Sequence, residues 1–267
     1  MRWLLFQERL IQVRKIYHGS VQIIEKPQYG AGRKDNDYGL GFYCTEDIEL
    51  AKEWAASDER GGFVNCYEVE EDGMFFLNLQ QIAERNAALE ENRILQSAPK
   101  SREHSNEVQS LQRLKENGIF SAEELIVLRW MAILLDNRAI RLGSPVERRG
   151  KEYLLSLFLP DISKYDFLIG YRADDSYFSY ARAFLSNTLT IGQLSAAMRL
   201  GDLGLQYVIR SQRMFDRIRF LEAVPVDGCV YFPRRMQRDQ AARQKFRRML
   251  EEDAERGRHL SDLMRGR

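Results

Sequence analysis

The 267 residues carry 40 Lys and Arg against 39 Asp and Glu, a net charge of +1, so bulk charge gives no reason to expect nucleic-acid or membrane binding. Hydrophobic residues make up 44%, ample for a core, and the length fits one large domain or one domain with an appendage. Cys44, Cys66 and Cys229 are odd in number, widely spaced and without a Cys-x-x-Cys pair, which argues against a disulfide scaffold or a zinc site, so no metal is expected. MRWLLFQERL lacks the apolar core of a signal peptide, and no apolar run reaches the roughly 18 residues of a membrane span. The expectation is a soluble, cytoplasmic protein with no membrane partner.

In chain order, IQVRKIY at 11–17 alternates as a half-buried strand does. PQYGAGRKDND at 27–37 is polar and rich in Gly and Asp, hence a loop. IELAKEWAA follows with apolar Ile48, Ala51, Trp54 and Ala55 at helical spacing. Thr45 is its expected cap, with Glu46 and Asp47 at its positive end. GGFVNCYEVE at 61–70 reads as a strand after turn glycines.

From Leu77 to Gly118 the chain is polar, charged and interrupted by Pro99. It reads as helical segments inserted in the domain. A more apolar helix, SAEELIVLRWMAILLDNR, opens with Ser121 and Glu124 in capping-box spacing. YDFLIGYRADD at 165–175 is a strand leaving into a loop; SYFSYARAFLSNT and TIGQLSAAMRLG are two short helices, the second ended by Gly201. LGLQYVIRS at 203–211 and MFDRIRFLEAVPV are two further strands. Residues 234–267 are highly charged and read as a solvated helix or tail. The division is a domain over 1–233, with a helical insertion over about 78–142, and a charged C-terminal segment over 234–267. Strands and helices do not alternate regularly, which favours α+β over a doubly wound sheet. No dinucleotide-fold, Walker or zinc-protease motif is present.

The first strand ends in His18-Gly19-Ser20. After the loop comes Gly39-Leu40-Gly41-Phe42-Tyr43, and Trp54 stands eleven residues beyond Tyr43. This order resembles the core of the ADP-ribosyltransferase superfamily, on the branch of the poly(ADP-ribose) polymerases and diphtheria toxin. The longer string GRKDNDYGLGFYCTEDIELAKEWA, with VNCYEVE, LLDNR, YDFLIGYRADD and LGLQYVIRS behind it, is similar to an uncharacterised bacterial family of that superfamily. The resemblance spans roughly residues 13 to 222, omitting the stretch near 78–118.

It implies an α+β fold of split antiparallel sheets with flanking helices, and NAD as the substrate. Breaking the nicotinamide–ribose bond develops positive charge on the sugar, as in glycoside cleavage, so the site must fix the ring, orient the ribose and stabilise that charge. By resemblance His18 would hold a ribose hydroxyl, and Gly19, with Ser20 beside it, would bind the carboxamide through its backbone. Tyr43 and Trp54 would stack on the nicotinamide, a planar cation suited to π faces. Gly41 would let the backbone approach the ligand. Arg33 would reach the pyrophosphate.

The superfamily pattern ends in a Glu at the start of a late strand; here Gln206 stands at that place, giving His-Tyr-Gln. A glutamine still accepts a bond from the ribose 2′-hydroxyl but brings no negative charge. That speaks against polymer synthesis and leaves single-unit transfer or mere NAD binding. Asp174 and Asp175 are candidate substitute acids. The implied function is a mono-ADP-ribosyltransferase acting on a macromolecule, protein or nucleic acid. The implied setting is a bacterial toxin–antitoxin or phage-defence system with a neutralising antitoxin protein. The alternatives are an NAD hydrolase and a non-catalytic NAD-, ADP-ribose- or partner-binding module.

Each residue also has a structural reading. His18 taken alone suits a structural or surface role. Tyr43 and Trp54 suit a core, Arg33 a solvated loop, and Asp174-Asp175 a turn. Cys44 has no histidine in a position to activate it and is not taken as a nucleophile.

Overall fold

The structure, a computed structural model, describes residues 13–79, 120–172, 177–200, 204–252 and 257–265. Two sheets and the helices around them give an α+β fold. Strand β1 (Val13–Ser20) runs through His18-Gly19-Ser20 to the end of that motif. β2 is Phe42–Cys44, α1 Ile48–Ala55, β3 Gly62–Glu70 and β4 Phe76–Asn78. Helices α2 (Ala122–Asn137) and α3 (Pro145–Phe158) precede β5 (Phe167–Tyr171). Then come α4 (Tyr177–Leu185), α5 (Ile191–Ala197), β6 (Leu205–Ile209), the one-turn α6 (Gln212–Phe215) and β7 (Ile218–Val226). The long α7 (Gly228–Glu252) and short α8 (Leu260–Met264) close the chain.

One sheet has the order β1-β3-β7, the other β2-β6-β5-β4. All pairings are antiparallel except β4 with β5. Side chains alternate across the second sheet as a period of two requires. Leu168 and Val208 face a helical core built around α2, while Phe167, Ile169, Tyr207 and Ile209 face the first sheet with Ile16, Tyr67 and Val69. The outer face of the first sheet takes α1 through Ala51, Ala55, Val64 and Cys66.

Helix α2 is apolar on nearly every side, the pattern of a helix enclosed by others. Ten of its residues are buried. This part of the 78–142 stretch therefore lies at the centre of the core, and its Ser121–Glu124 capping box is formed; residues 80–119 lie outside the described residues. Helix α1 is capped by Asp47, not Thr45. The Asp47 carboxylate accepts from the Glu49 and Leu50 amides, while the Thr45 hydroxyl accepts from Asp47 one step earlier. Met214 and Phe215 belong to α6, capped by Ser211, and not to the strand that follows.

The C-terminal segment is tied down. Phe246 packs its ring 4.0 Å from that of Tyr180, and Leu260 and Leu263 are buried. On its other side α7 grips α1: Tyr231 donates to Glu49 at 3.0 Å, and Arg238 pairs with the buried Glu53. No helix among the described residues is long and apolar enough to cross a membrane.

Candidate functional site

Besides packing face to face, the two sheets are joined by a backbone bridge where Tyr17 and Thr45 exchange hydrogen bonds at 2.8 and 2.9 Å. With a period of two, the next partner of Tyr43 across this seam would be Gly19. The His18 ring takes the Tyr43 carbonyl instead, its Nδ1 at 2.7 Å. Here β1 and β2 part, and a cleft of about 470 Å³ opens between the sheets, lined among others by His18, Tyr43, Trp54 and Gln206.

The His18 contact decides a tautomer. A carbonyl only accepts, so Nδ1 carries the proton and Nε2 is left as an acceptor. Desolvation lowers the pKa of His18 below its ordinary value, against the opposing bond from Tyr43, and so favours the neutral ring. Phe42 holds its side, with ring centroids 4.5 Å apart.

Tyr43 is anchored by its hydroxyl, which donates to the Gly39 carbonyl at 2.6 Å and accepts from the Tyr38 amide at 3.1 Å. Burial pushes that hydroxyl's pKa up. Trp54 reaches the cleft because α1 sits directly on β1. A Cβ at Gly19 would lie 2.0 Å from the Ala51 carbonyl oxygen and 2.9 Å from the Trp54 Cβ. Gly19 itself is not in the lining of the cleft. Gly41 does line it, pressed so closely on β6 that a Cβ would meet Val208 at 2.6 Å.

Ser20 is not in the lining; it belongs to a knot around Asn65, a fully buried residue on β3. Asn65 donates to the His18 carbonyl, Ser20 Oγ and the Gln22 carbonyl, and accepts from the Ile24 amide at 2.7 Å. This knot fixes the course of the chain after His18.

Arg33 does not reach the cleft. Its side chain is 74% exposed and pairs with Asp35 at 2.6 Å. The guanidiniums in the lining are Arg138, Arg172 and Arg210. Arg172 lies over the Trp54 ring, 4.5 Å from its centroid. Arg210 donates to the Ile162 carbonyl, its Nε is buried without a partner among the described residues, and burial lowers its pKa. Asp174 and Asp175 lie outside the described residues. Cys44 is buried, which raises its thiol pKa and leaves it inert.

Gln206 is 3% exposed, on β6. Its Nε2 donates to Asp37 Oδ2 at 2.9 Å and to the Tyr171 carbonyl at 3.2 Å. The same carbonyl accepts from Tyr38 at 2.9 Å and Trp130 at 3.0 Å. Asp37, 4% exposed, is held on its other oxygen by Arg138 at 2.7 Å. Asp37 and its partner Arg138 escape a reading of the sequence. Asp37 sits in a loop of Asp, Asn and Gly that reads as turn chemistry, and its two partners stand 101 and 169 residues away. Among the described residues no group of three or more His, Cys, Asp or Glu is arranged to hold a metal.

Residues 14–97 and 120–220 match the model of a family described as "Protein of unknown function (DUF3990)". The chain belongs to the DUF3990 family. No curated protein and no solved structure matches it. The matched segments carry His18, Tyr43, Trp54, Asp37, Arg138 and Gln206, so every cleft residue discussed above belongs to the family's own region.

Proposed function

We propose that this DUF3990 chain has the ADP-ribosyltransferase fold, takes NAD as substrate in the cleft between its sheets, and transfers single ADP-ribose units to a macromolecular acceptor. The observation that carries the reading is the His18 ring seated on the Tyr43 carbonyl where the sheets part. It leaves a neutral acceptor, Nε2, beside an aromatic pair and several guanidiniums.

In this reading His18 Nε2 accepts a ribose hydroxyl and the Gly19 backbone binds the carboxamide. Tyr43 and Trp54 flank the nicotinamide ring, which takes the Trp54 face that Arg172 covers in the free protein. Arg172 and Arg210 supply charge for the diphosphate, the task expected of Arg33. Gln206 accepts the 2′-hydroxyl through Oε1.

The bond from the ribose carbon to the nicotinamide nitrogen breaks, and its electron pair stays on the ring, which leaves as neutral nicotinamide. The sugar carbon, now positive, accepts a lone pair from the acceptor nucleophile, whose proton passes to solvent. With water as nucleophile the same steps give an NAD hydrolase. The uncharged Gln206 favours that outcome, or binding without turnover, as the second reading. The proposed setting is a bacterial cytoplasm, with a toxin or phage-defence role and an antitoxin that neutralises it.

The test is turnover of labelled NAD by the purified protein, alone and with bacterial lysate, beside His18→Ala and Tyr43→Ala variants shown to be folded. Label moving onto protease- or nuclease-sensitive material, and lost in both variants, supports a transferase. Free ADP-ribose and nicotinamide support a hydrolase. Absence of NAD binding by the wild-type protein overturns the reading.

A further inference from the structure

We propose that Asp37 is the positioning residue of the site: it orients the Gln206 amide and sets a carboxylate beside it in the cleft lining, so that the negative charge missing from position 206 resides on the loop before β2. The proposal rests on the NAD reading above for its substrate.

Both partners of Gln206 Nε2, the Asp37 carboxylate and the Tyr171 carbonyl, are acceptors only. The amide orientation is thereby settled, with both protons committed and Oε1 left as the acceptor. A carboxylate drawing on one amide proton strengthens the acceptor at the other end of the amide, because bonds in a chain polarise one another. Arg138, on the far oxygen of Asp37, keeps that carboxylate from turning. The result is a fixed line from Arg138 through Asp37 and Gln206 to the 2′-hydroxyl.

The same geometry accounts for glutamine at 206. A glutamate there would set two carboxylates 2.9 Å apart at a buried position, where both cannot ionise. Charge can stand at 37 or at 206, not at both.

The experiment is a charge swap: Gln206→Glu, Asp37→Asn, and the double variant that combines them, each isosteric with the wild type. In the double variant the carboxamide at position 37 keeps an oxygen for Arg138 and turns its N–H toward the carboxylate at position 206, so the link survives with reversed polarity. Loss of the Gln206 bond to Tyr171 is common to Gln206→Glu and the double variant and cancels between them. The expected result for each single variant is a loss of kcat of about tenfold or more with NAD affinity changed less. The double variant recovers about tenfold over Gln206→Glu. A Gln206→Glu variant more active than wild type, or a double variant no better than Gln206→Glu, overturns the proposal.

A second arm needs no ligand. Melting of Gln206→Glu is followed against pH: the shared proton raises a carboxyl pKa in the folded state, so this variant gains stability relative to wild type as the pH falls and loses it as the pH rises. The double variant shows no such slope. If that slope is missing from Gln206→Glu, the Asp37–Gln206 coupling is refuted whatever the substrate. If the slope is present but the wild type neither binds nor turns over NAD, the substrate reading fails and takes the positioning role of Asp37 in turnover with it.

Discussion

The Cβ that Gly19 lacks would stand 2.0 Å from the carbonyl oxygen of Ala51, so helix α1 rests on strand β1 backbone to backbone. The atom it would meet is main chain and cannot rotate away. This contact sets Trp54 over the opening, and it gives Gly19 a packing reason independent of any ligand.

Gly19→Ala is therefore expected to lift α1 and destabilise the protein by about 1–3 kcal/mol, the usual range for overpacking. On the NAD reading proposed above, affinity for NAD should fall as well, because Trp54 moves with the helix. Thermal melting and an NAD titration of the variant check both. A variant as stable as wild type would refute the close packing of α1 on β1.

The His18 tautomer leads to a pH dependence. Its folded pKa lies below the ordinary 6.5, so below that value the unfolded chain binds the proton more readily than the folded one. Stability contributed by the neutral ring is then fully present above about pH 6.5 and declines as the pH falls through the window down to the folded pKa. Denaturant melts at about pH 7.5 and about pH 5 should show this loss, and His18→Gln should reduce it. An equal loss in the variant would assign the slope to other groups.

The C-terminal segment is expected to be structural. Arg238→Ala strands Glu53, whose side chain is 4% exposed against 24% for Arg238. Breaking such a pair, discounted for the partial exposure of the arginine, should cost about 1–3 kcal/mol. Removing residues 234–267 also uncovers Tyr180 and takes away buried Phe246, Leu260 and Leu263, so the truncated chain should lose its cooperative melt. A truncated protein that still melts cooperatively would return this segment to the role of a free tail.

The cations separate by location. On the NAD reading proposed above, Arg33→Ala should leave turnover within about twofold of wild type, since this guanidinium stands in solvent with Asp35. Arg210→Ala, at the cleft wall, should raise KM by about tenfold or more, in line with loss of a charge-assisted bond. The reverse ranking would locate the diphosphate near the outer loop. Steady-state kinetics on the two variants decide between them.

Much of the architecture is legible in the sequence, and for local reasons. The alternation in VRKIYHGS and GFVNCYEVE, the capping box opened by Ser121, and the small residues of α1 each depend on neighbours a few positions away. His18 and Trp54 ride on two of these elements, β1 and α1, but the grouping of His18, Tyr43, Trp54 and Gln206 is implied by the resemblance of the motif order and not by periodicity. The cap of α1 falls on Asp47 and not Thr45 because the two differ only in which side chain meets the free amides, a choice that periodicity does not rank.

The cleft's charge is another matter. Nothing in the sequence distinguishes Asp37 from Asp35, two residues earlier in the same polar loop, yet Asp35 stands in solvent with Arg33 and Asp37 is buried between Arg138 and Gln206. Likewise nothing ranks Arg210 or Arg172 above Arg33. By itself the sequence determined which faces of its strands and helices are apolar, because that depends on a repeat of two or 3.6 residues. Only the tertiary structure decided which carboxylate and which guanidiniums enter the cleft. The partners of Asp37 lie 101 and 169 residues away, beyond the reach of any local pattern.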